Sequence, residues 1–188
     1  MSTEIRTYTA MEFERLPEGP PCQLIDGELV MTPSATFDHQ AIVLRIASRI
    51  LAFVSANQLG HVTMAPMDVY LTDTDVYQPD IIFISKDRED IIHDRIKGAP
   101  DLVVEVLSPS NARYDLVHKK KVYEQSGIRE YWIVFPEEQK VEVLVKRDNR
   151  FAHGDSATRP GIVQSLILPG FTVNLDELFK ESPSGGKP

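Results

Sequence analysis

Two carboxylates stand where apolar side chains are expected. "QPDIIFIS" and "DLVVEVL" each read as a short strand of Val, Ile, Leu and Phe, yet Asp80 leads into the first and Glu105 sits inside the second. Side chains alternate faces along a strand, so Val103, Glu105 and Leu107 share one side and Leu102, Val104 and Val106 the other. Both sides are otherwise apolar, the pattern of a central strand covered on both faces. An ionised carboxylate there is costly unless it is paired or bound to a metal. Taken alone, Glu105 is explained by one Arg or Lys partner, because structural ion pairs also bury acids. Asp80 changes the balance. Pro79 cannot donate to a sheet ladder and marks a strand entrance or edge. If the two strands are neighbours, the two acids converge, and an oxygen-only site of this kind suits Mg²⁺ or Mn²⁺, with waters and substrate phosphate completing the shell.

A cation follows. "NARYDLVHKKKVYEQSG" carries three consecutive lysines, which on a solvated face need no further explanation. At 100° per residue, however, Ala112, Leu116, Lys119, Tyr123 and Gly127 fall on one broad side of a helix, Lys120 lies at its margin and Lys121 nearly opposite. Lys119 is therefore the lysine among the inward positions, and it needs an anionic partner. The nearest acids in sequence belong to the preceding strand. Arg113, His118, Lys120 and Lys121 would form a basic rim around it.

The elements that must position these groups are legible in outline. "TYTAMEFERLPEGP" reads as a short helix with Thr9 as N-cap. "CQLIDGELVM" places Asp26-Gly27 between two apolar runs, a two-residue hairpin signal because both turn positions need positive φ. A loop, "TPSATFDH", leads to a helix from about Asp38 to Asn57, with Ile42, Val43, Ile46, Ile50, Phe53 and Val54 at three- and four-residue steps and Gly60 closing it. "HVTMAPMDVYL" and "QPDIIFIS" follow as strands. "KDREDIIHDRIKGAP" is a charged connection with room for one helical turn. "DLVVEVL" is the next strand, and the lysine helix runs from about Asn111 to Ser126, with Gly127 as its C′ residue. "EYWIVFP" and "KVEVLVKR" are two further strands. This order predicts an α/β or α+β fold with a mixed sheet flanked by helices and an N-terminal hairpin. Residues 1–180 are expected to form one domain and 181–188 a disordered tail.

The chain has 188 residues, 42% hydrophobic and 26% charged, a globular composition. The apolar stretch "AIVLRIASRILAFV" contains Arg45 and Arg49 and is expected to lie in the core rather than in a membrane. No secretory pattern opens the chain. The single cysteine, Cys22, excludes an internal disulfide and a cysteine zinc cluster. A cytoplasmic protein is the expectation. The net charge of -8 argues against nucleic-acid binding through overall charge, though not against a local basic patch. No GxSxG, Gly-rich phosphate loop or Cys/His pair is present. Ser108 and Ser110 are placed to cap the next helix rather than to act as nucleophiles.

"LIDGELV", "PDIIFI", "PDLVVEVLSPS" and "DLVHKKKVYEQSGIREYWIV" together resemble the Uma-type restriction endonuclease family, whose core belongs to the PD-(D/E)XK nuclease superfamily. The resemblance runs from about Tyr8 to Leu178. It implies a restriction-endonuclease-like fold, with Asp80 as the acid of the PD half-motif and Glu105 as the second acid. The superfamily lysine commonly follows that Glu by two residues. Here that residue is Leu107, and the resemblance moves the role to Lys119, the lysine that the helical wheel selects independently. The family usually has a Glu just before "LIDGELV", where this chain has Gln23; Glu28, beyond the turn, is expected to face solvent. His39 also matches, at the start of the long helix.

The resulting expectation is a Mg²⁺- or Mn²⁺-dependent endonuclease acting on DNA. Asp80, Glu105 and the Val106 carbonyl would hold the metal. Lys119 would act on water and phosphate, and Gln23, His39 and Tyr123 would support the site. A homodimer is implied because such nucleases pair two sites to cut both strands. The rival is a catalytically impaired binding or interaction protein on the same scaffold, favoured by Gln23 and by the acidic net charge.

Overall fold

The computed structural model describes residues 7–17, 22–32, 34–108 and 114–180. In chain order the elements are α1 (Ala10–Glu14), β1 (Cys22–Ile25), β2 (Glu28–Met31), α2 (Phe37–Ala56), β3 (Gly60–Met64), β4 (Val69–Tyr70), β5 (Val76–Tyr77) and β6 (Ile81–Ser85). A 3₁₀ helix (Lys86–Ile91) leads to β7 (Ile96–Lys97), β8 (Leu102–Val106), α3 (Tyr114–Ser126), β9 (Glu130–Phe135), β10 (Lys140–Arg147), β11 (Arg150–Thr158), β12 (Ile162–Gln164), β13 (Thr172–Asn174) and α4 (Leu175–Leu178).

The main sheet has six strands in the order β11-β10-β9-β8-β6-β3. Only β8 and β9 run parallel within it, and a parallel pair needs a crossover, which α3 supplies. Strand β8 lies between β6 and β9 and is buried at all five positions, as its two apolar faces predict. One face packs under α2: Ile42, Ile46 and Ile50 meet Val104, Val106, Trp132 and Val134. The other packs under α3, where Val122 and Tyr123 meet Val103, Tyr131 and Ile133. The mixed sheet flanked by helices is thus a layered α+β arrangement.

A smaller sheet, in the order β2-β1-β5-β4-β7, carries the N-terminal hairpin. Asp26 and Gly27 both have positive φ, 49° and 78°, as the Asp-Gly turn requires. Thr9 caps α1 reciprocally with Glu12. Gly127 follows α3 at φ 104°, the C′ conformation expected of it.

Three parts differ from the sequence expectation. "HVTMAPMDVYL" is not one strand: it breaks around Pro66, which has no N–H for a ladder, into β3 of the main sheet and β4 of the small one. The charged connection holds a 3₁₀ helix and also the short β7. After β10 the chain continues through β11 to α4, elements the apolar periodicity does not announce. Residues 111–113, the expected start of the lysine helix, and the tail 181–188 lie outside the described residues.

Candidate active site

Strand register brings the acids together. In the antiparallel pair of β6 and β8, Ile81 faces Val104 and Ile82 faces Val103. Asp80 immediately precedes Ile81 and Glu105 immediately follows Val104, so that register brings the two acids to the same end of the strand pair, where the Asp80 charge acts on Glu105. The sequence separates the acids; the hydrogen-bonded pair of strands joins them. Asp80 Oδ2 accepts from the Val106 N–H at 2.7 Å, which pins the PD segment to the strand carrying Glu105.

Glu105 is 7% exposed and Lys119 6%. Lys119 Nζ donates to both carboxylate oxygens, at 3.1 Å each. Tyr123, one turn further along α3, donates its hydroxyl to Oε1 at 2.6 Å. The inward side of α3 is therefore the one carrying Lys119 and Tyr123, while Lys121 is exposed and Lys120 half-exposed. Burial pushes the Glu105 pKa up, opposed by the charge of Lys119 and reinforced by that of Asp80. Burial likewise raises Tyr123 well above the ordinary tyrosine value, with the Glu105 charge adding to it, so Tyr123 is a fixed donor at neutral pH.

His39 lies in the first turn of α2, whose N-cap is Thr36. Its Nε2 donates to the Val106 carbonyl at 3.0 Å and lies 3.4 Å from Asp80 Oδ2. A carbonyl only accepts, so Nε2 carries the hydrogen. The adjoining Asp80 carboxylate raises the His39 pKa against the opposing effect of burial. His39 thus lies against both Asp80 and Val106, two of the three groups expected to hold a cation.

Gln23 is buried, and its carbonyl oxygen accepts from the Gln78 N–H at 3.0 Å, two residues before Asp80. Its amide donates to Thr32 at 3.4 Å. The side chain thus supports the approach to the PD segment. Glu28 is exposed on β2, as expected. Leu107 continues the ladder of β8, its N–H donating to the Val134 carbonyl, and a lysine there has no counterpart in this chain.

Sequence reasoning missed Asp75 and Tyr77. The Tyr77 ring lies 5.9 Å from Lys119 Nζ and 5.6 Å from the Tyr123 ring, and its hydroxyl donates to Asp75 Oδ1 at 2.9 Å. Asp75 also accepts from the Asp26 N–H at 3.1 Å and from Thr72 at 2.6 Å, and lies 3.7 Å from His118. His118 therefore turns toward Asp75 rather than joining a basic rim. The available signal was the alternation in "DVY", which puts Asp75 and Tyr77 on one face.

Among the described residues, no group of three His, Cys, Asp or Glu side chains forms a metal cluster. The donors at hand are two carboxylates and one backbone carbonyl. That all-oxygen set fits a hard divalent cation that keeps several of its own waters better than it fits zinc. Each carboxylate retains lone pairs beyond those its protein partners use.

The family model described as "Uma2: Putative restriction endonuclease" matches residues 10–176. The chain belongs to the Uma2 family. A solved structure from Anabaena variabilis, described as a putative nuclease belonging to DUF820, superposes with a TM-score of 0.76 at 23% identity, covering 91% of this chain and 97% of that one. At that identity the likeness speaks for a shared fold, the restriction-endonuclease-like arrangement that the sequence implied. No curated protein matches the chain. In this Uma2 protein Asp80 and Glu105 lie at one end of the β6–β8 pair, Glu105 held by Lys119 from α3 and Asp80 met by His39 from the first turn of α2.

Proposed function

We propose that this Uma2 protein is a Mg²⁺- or Mn²⁺-dependent endonuclease that hydrolyses phosphodiester bonds in DNA. The observation that carries this reading is the buried Lys119 held at 3.1 Å from both oxygens of Glu105, on the strand facing Asp80. Maintaining that much charge in a core is costly, and charge of this kind concentrates where chemistry needs it. Asp80, Glu105 and the Val106 carbonyl would hold the cation. A bound divalent ion there supplies Lewis acidity toward a phosphoryl oxygen and a lowered pKa for water.

The remaining roles belong to the protein. Lys119 orients or deprotonates the attacking water, or offsets charge developing on the phosphate. Tyr123 holds Glu105 in place and restricts the ways the carboxylate can turn. The Val106 N–H anchors Asp80. The proposed protein is homodimeric, one site for each strand of the duplex.

The test is incubation of the purified protein with supercoiled plasmid and Mg²⁺ or Mn²⁺, with chelator as control. Metal-dependent nicking or linearisation that Glu105→Gln abolishes is the expected result. The rival reading, a binding protein on a nuclease scaffold, is favoured by one observation: an amide, Gln23, occupies the position where the family places an acid. Binding of DNA with no cleavage under any metal would decide for it.

A further inference from the structure

Helix α2 is apolar on two sides. Its inner side buries Ile42, Val43, Ile46, Ala47, Ile50 and Val54. Its outer side carries Phe37, Leu44 and Leu51, which are 64%, 62% and 50% exposed. These three recur every seven residues, with Ala41 and Ser48 between them and Ser55 after the last. Steps of four and three draw one straight seam along a helix. By length and composition alone α2 could cross a membrane, a consequence of this second apolar side.

The seam is also free of charge. In a chain of net charge -8, the one acid of α2 is Asp38, at its first turn and outside the line of the seam. The two cations of that segment are drawn aside. Arg45 donates to the Leu178 and Lys180 carbonyls at 2.8 and 3.1 Å, and Arg49 reaches Glu177 at 2.5 Å. The Ser48 hydroxyl donates back to the Arg45 carbonyl at 3.1 Å, so it can be covered without stranding a donor.

We propose that the outer seam of α2 is where a second copy of this chain docks, antiparallel, about a two-fold axis at the level of Ile46. The order of side-chain sizes carries the choice of partner. Along the seam the residues run Phe37, Ala41, Leu44, Ser48, Leu51, Ser55: large and small in alternation. An antiparallel copy sets Phe37 against Ser55, Ala41 against Leu51 and Leu44 against Ser48, and each pair recurs on the other side of the axis. This is the reciprocity an isologous interface demands. A parallel copy would oppose Phe37 to Phe37 and Ser48 to Ser48, alternating collisions with voids. Charge agrees with size: two copies of an acidic protein meet here along a face that offers no acid to repel. A membrane surface is a poorer fit, because interfacial helices carry many Lys and Arg on their polar side.

A helix of this length spans about 30 Å, and a pair of them buries less than the ~800 Å² per partner of a standard interface. The dimer therefore forms and dissociates with concentration. The docking surface stands without the nuclease reading; its consequence for cleavage rests on that reading. The two His39 residues would lie about 21 Å apart along the helix pair, at 1.5 Å per residue, placing the two sites at opposite ends of the dimer.

Sedimentation of the full chain from low to several hundred micromolar tests this without any cleavage readout. The weight-average mass is expected to climb from 21.2 kDa toward twice that value. Leu44→Glu and Leu51→Glu should remain monomeric with the wild-type melting temperature, since both positions face solvent in the monomer. In a Cys22→Ser background, Leu44→Cys mixed with Ser48→Cys should cross-link faster under mild oxidation than either variant alone. Four results would overturn the proposal: a wild type that stays monomeric throughout; a dimer that survives Leu44→Glu; cross-linking fastest for Leu44→Cys alone; or Leu44-dependent flotation with anionic lipid vesicles by a protein monomeric in solution. Absence of plasmid cleavage by a confirmed dimer counts against the nuclease reading alone.

Discussion

Lys119 Nζ sits equidistant from the two oxygens of Glu105, at 3.1 Å from each, with both residues buried. Neither charge is tolerable alone in that environment, so each side chain makes the other possible. The Tyr123 hydroxyl donates to Glu105 at 2.6 Å, and the Tyr77 ring lies 5.9 Å from the ammonium. The pair joins helix α3 to strand β8.

Under the proposed mechanism, in which the ammonium would act on water and phosphate rather than on the metal, replacing Lys119 by Ala should end plasmid cleavage while leaving Mn²⁺ affinity within a few-fold. The variant is expected to lose about 3–5 kcal/mol of stability, since a buried carboxylate loses its partner. Lys121→Ala, exposed on the other side of α3, should retain cleavage and at most lower the salt dependence of DNA binding. Single-turnover rates beside isothermal Mn²⁺ titration separate the two; equal rates for Lys119→Ala and wild type would remove Lys119 from the mechanism.

Removing both charges should do the opposite to stability. Glu105→Gln with Lys119→Met replaces a buried ion pair by neutral groups of similar size, a change that is often neutral or stabilising by about 1–4 kcal/mol. Urea denaturation of the metal-free protein measures it. The same double variant should show no Mn²⁺-induced rise in melting temperature, whereas wild type, if it binds the cation as proposed, should gain stability by mass action.

His39 makes the metal-free protein sensitive to pH. Its pKa is raised, first by the Asp80 carboxylate. The sign follows from linkage: the imidazolium's contribution to stability is fully present below the unfolded value of about 6.5 and is lost as pH rises through the folded value. The stability advantage of wild type over His39→Gln should therefore shrink across that window. A cation would compete with the imidazolium for Asp80 and the Val106 carbonyl, so Mn²⁺ affinity should rise with pH in wild type more steeply than in His39→Gln. Calorimetric titrations at several pH values check both slopes.

Gln23→Glu should fold normally, because a carboxylate still accepts from the Gln78 N–H and from the Thr32 hydroxyl. It adds an acid on β1, beside the segment leading to Asp80. If the missing acid limits the site, Mn²⁺ affinity and cleavage rate both increase; unchanged values would show that the amide is no deficit.

Glu130 is fully buried and accepts from Trp132 Nε1, the Ser165 hydroxyl and the Leu166 and Ile167 N–H groups. Glu130→Gln would point an NH₂ group at donors, and the loss should be about 1–3 kcal/mol with no change in metal affinity. Thermal unfolding and Mn²⁺ titration of this variant provide a structural control for the site mutants.

Much of the site was legible from local pattern alone. Alternation along "DLVVEVL" is a property of any strand, so the inward direction of Glu105 and the two apolar faces of β8 follow from residue order. The 3.6-residue period selects Lys119 over Lys120 and Lys121 in the same way, and Asp26-Gly27 specifies its turn through the φ values that only a few residue types adopt. These readings need no knowledge of what lies across the chain. The placements that required tertiary structure depend on partners far away in sequence. Asp80 reaches the same end of the strand pair as Glu105 through the register of β6 against β8, and Gln23 finds Gln78 because β1 pairs with β5. His39 reaches Asp80 and Val106 only because α2 packs across β8. Asp75 and Tyr77 were overlooked because the alternation in "DVY" is too short to stand out and their partners Lys119, Tyr123 and His118 lie far away in sequence. β11 was overlooked because its burial alternates only weakly and its side chains are largely polar. Periodicity encodes which face of an element is buried; which elements meet, and in what register, is settled by long-range packing and hydrogen bonding.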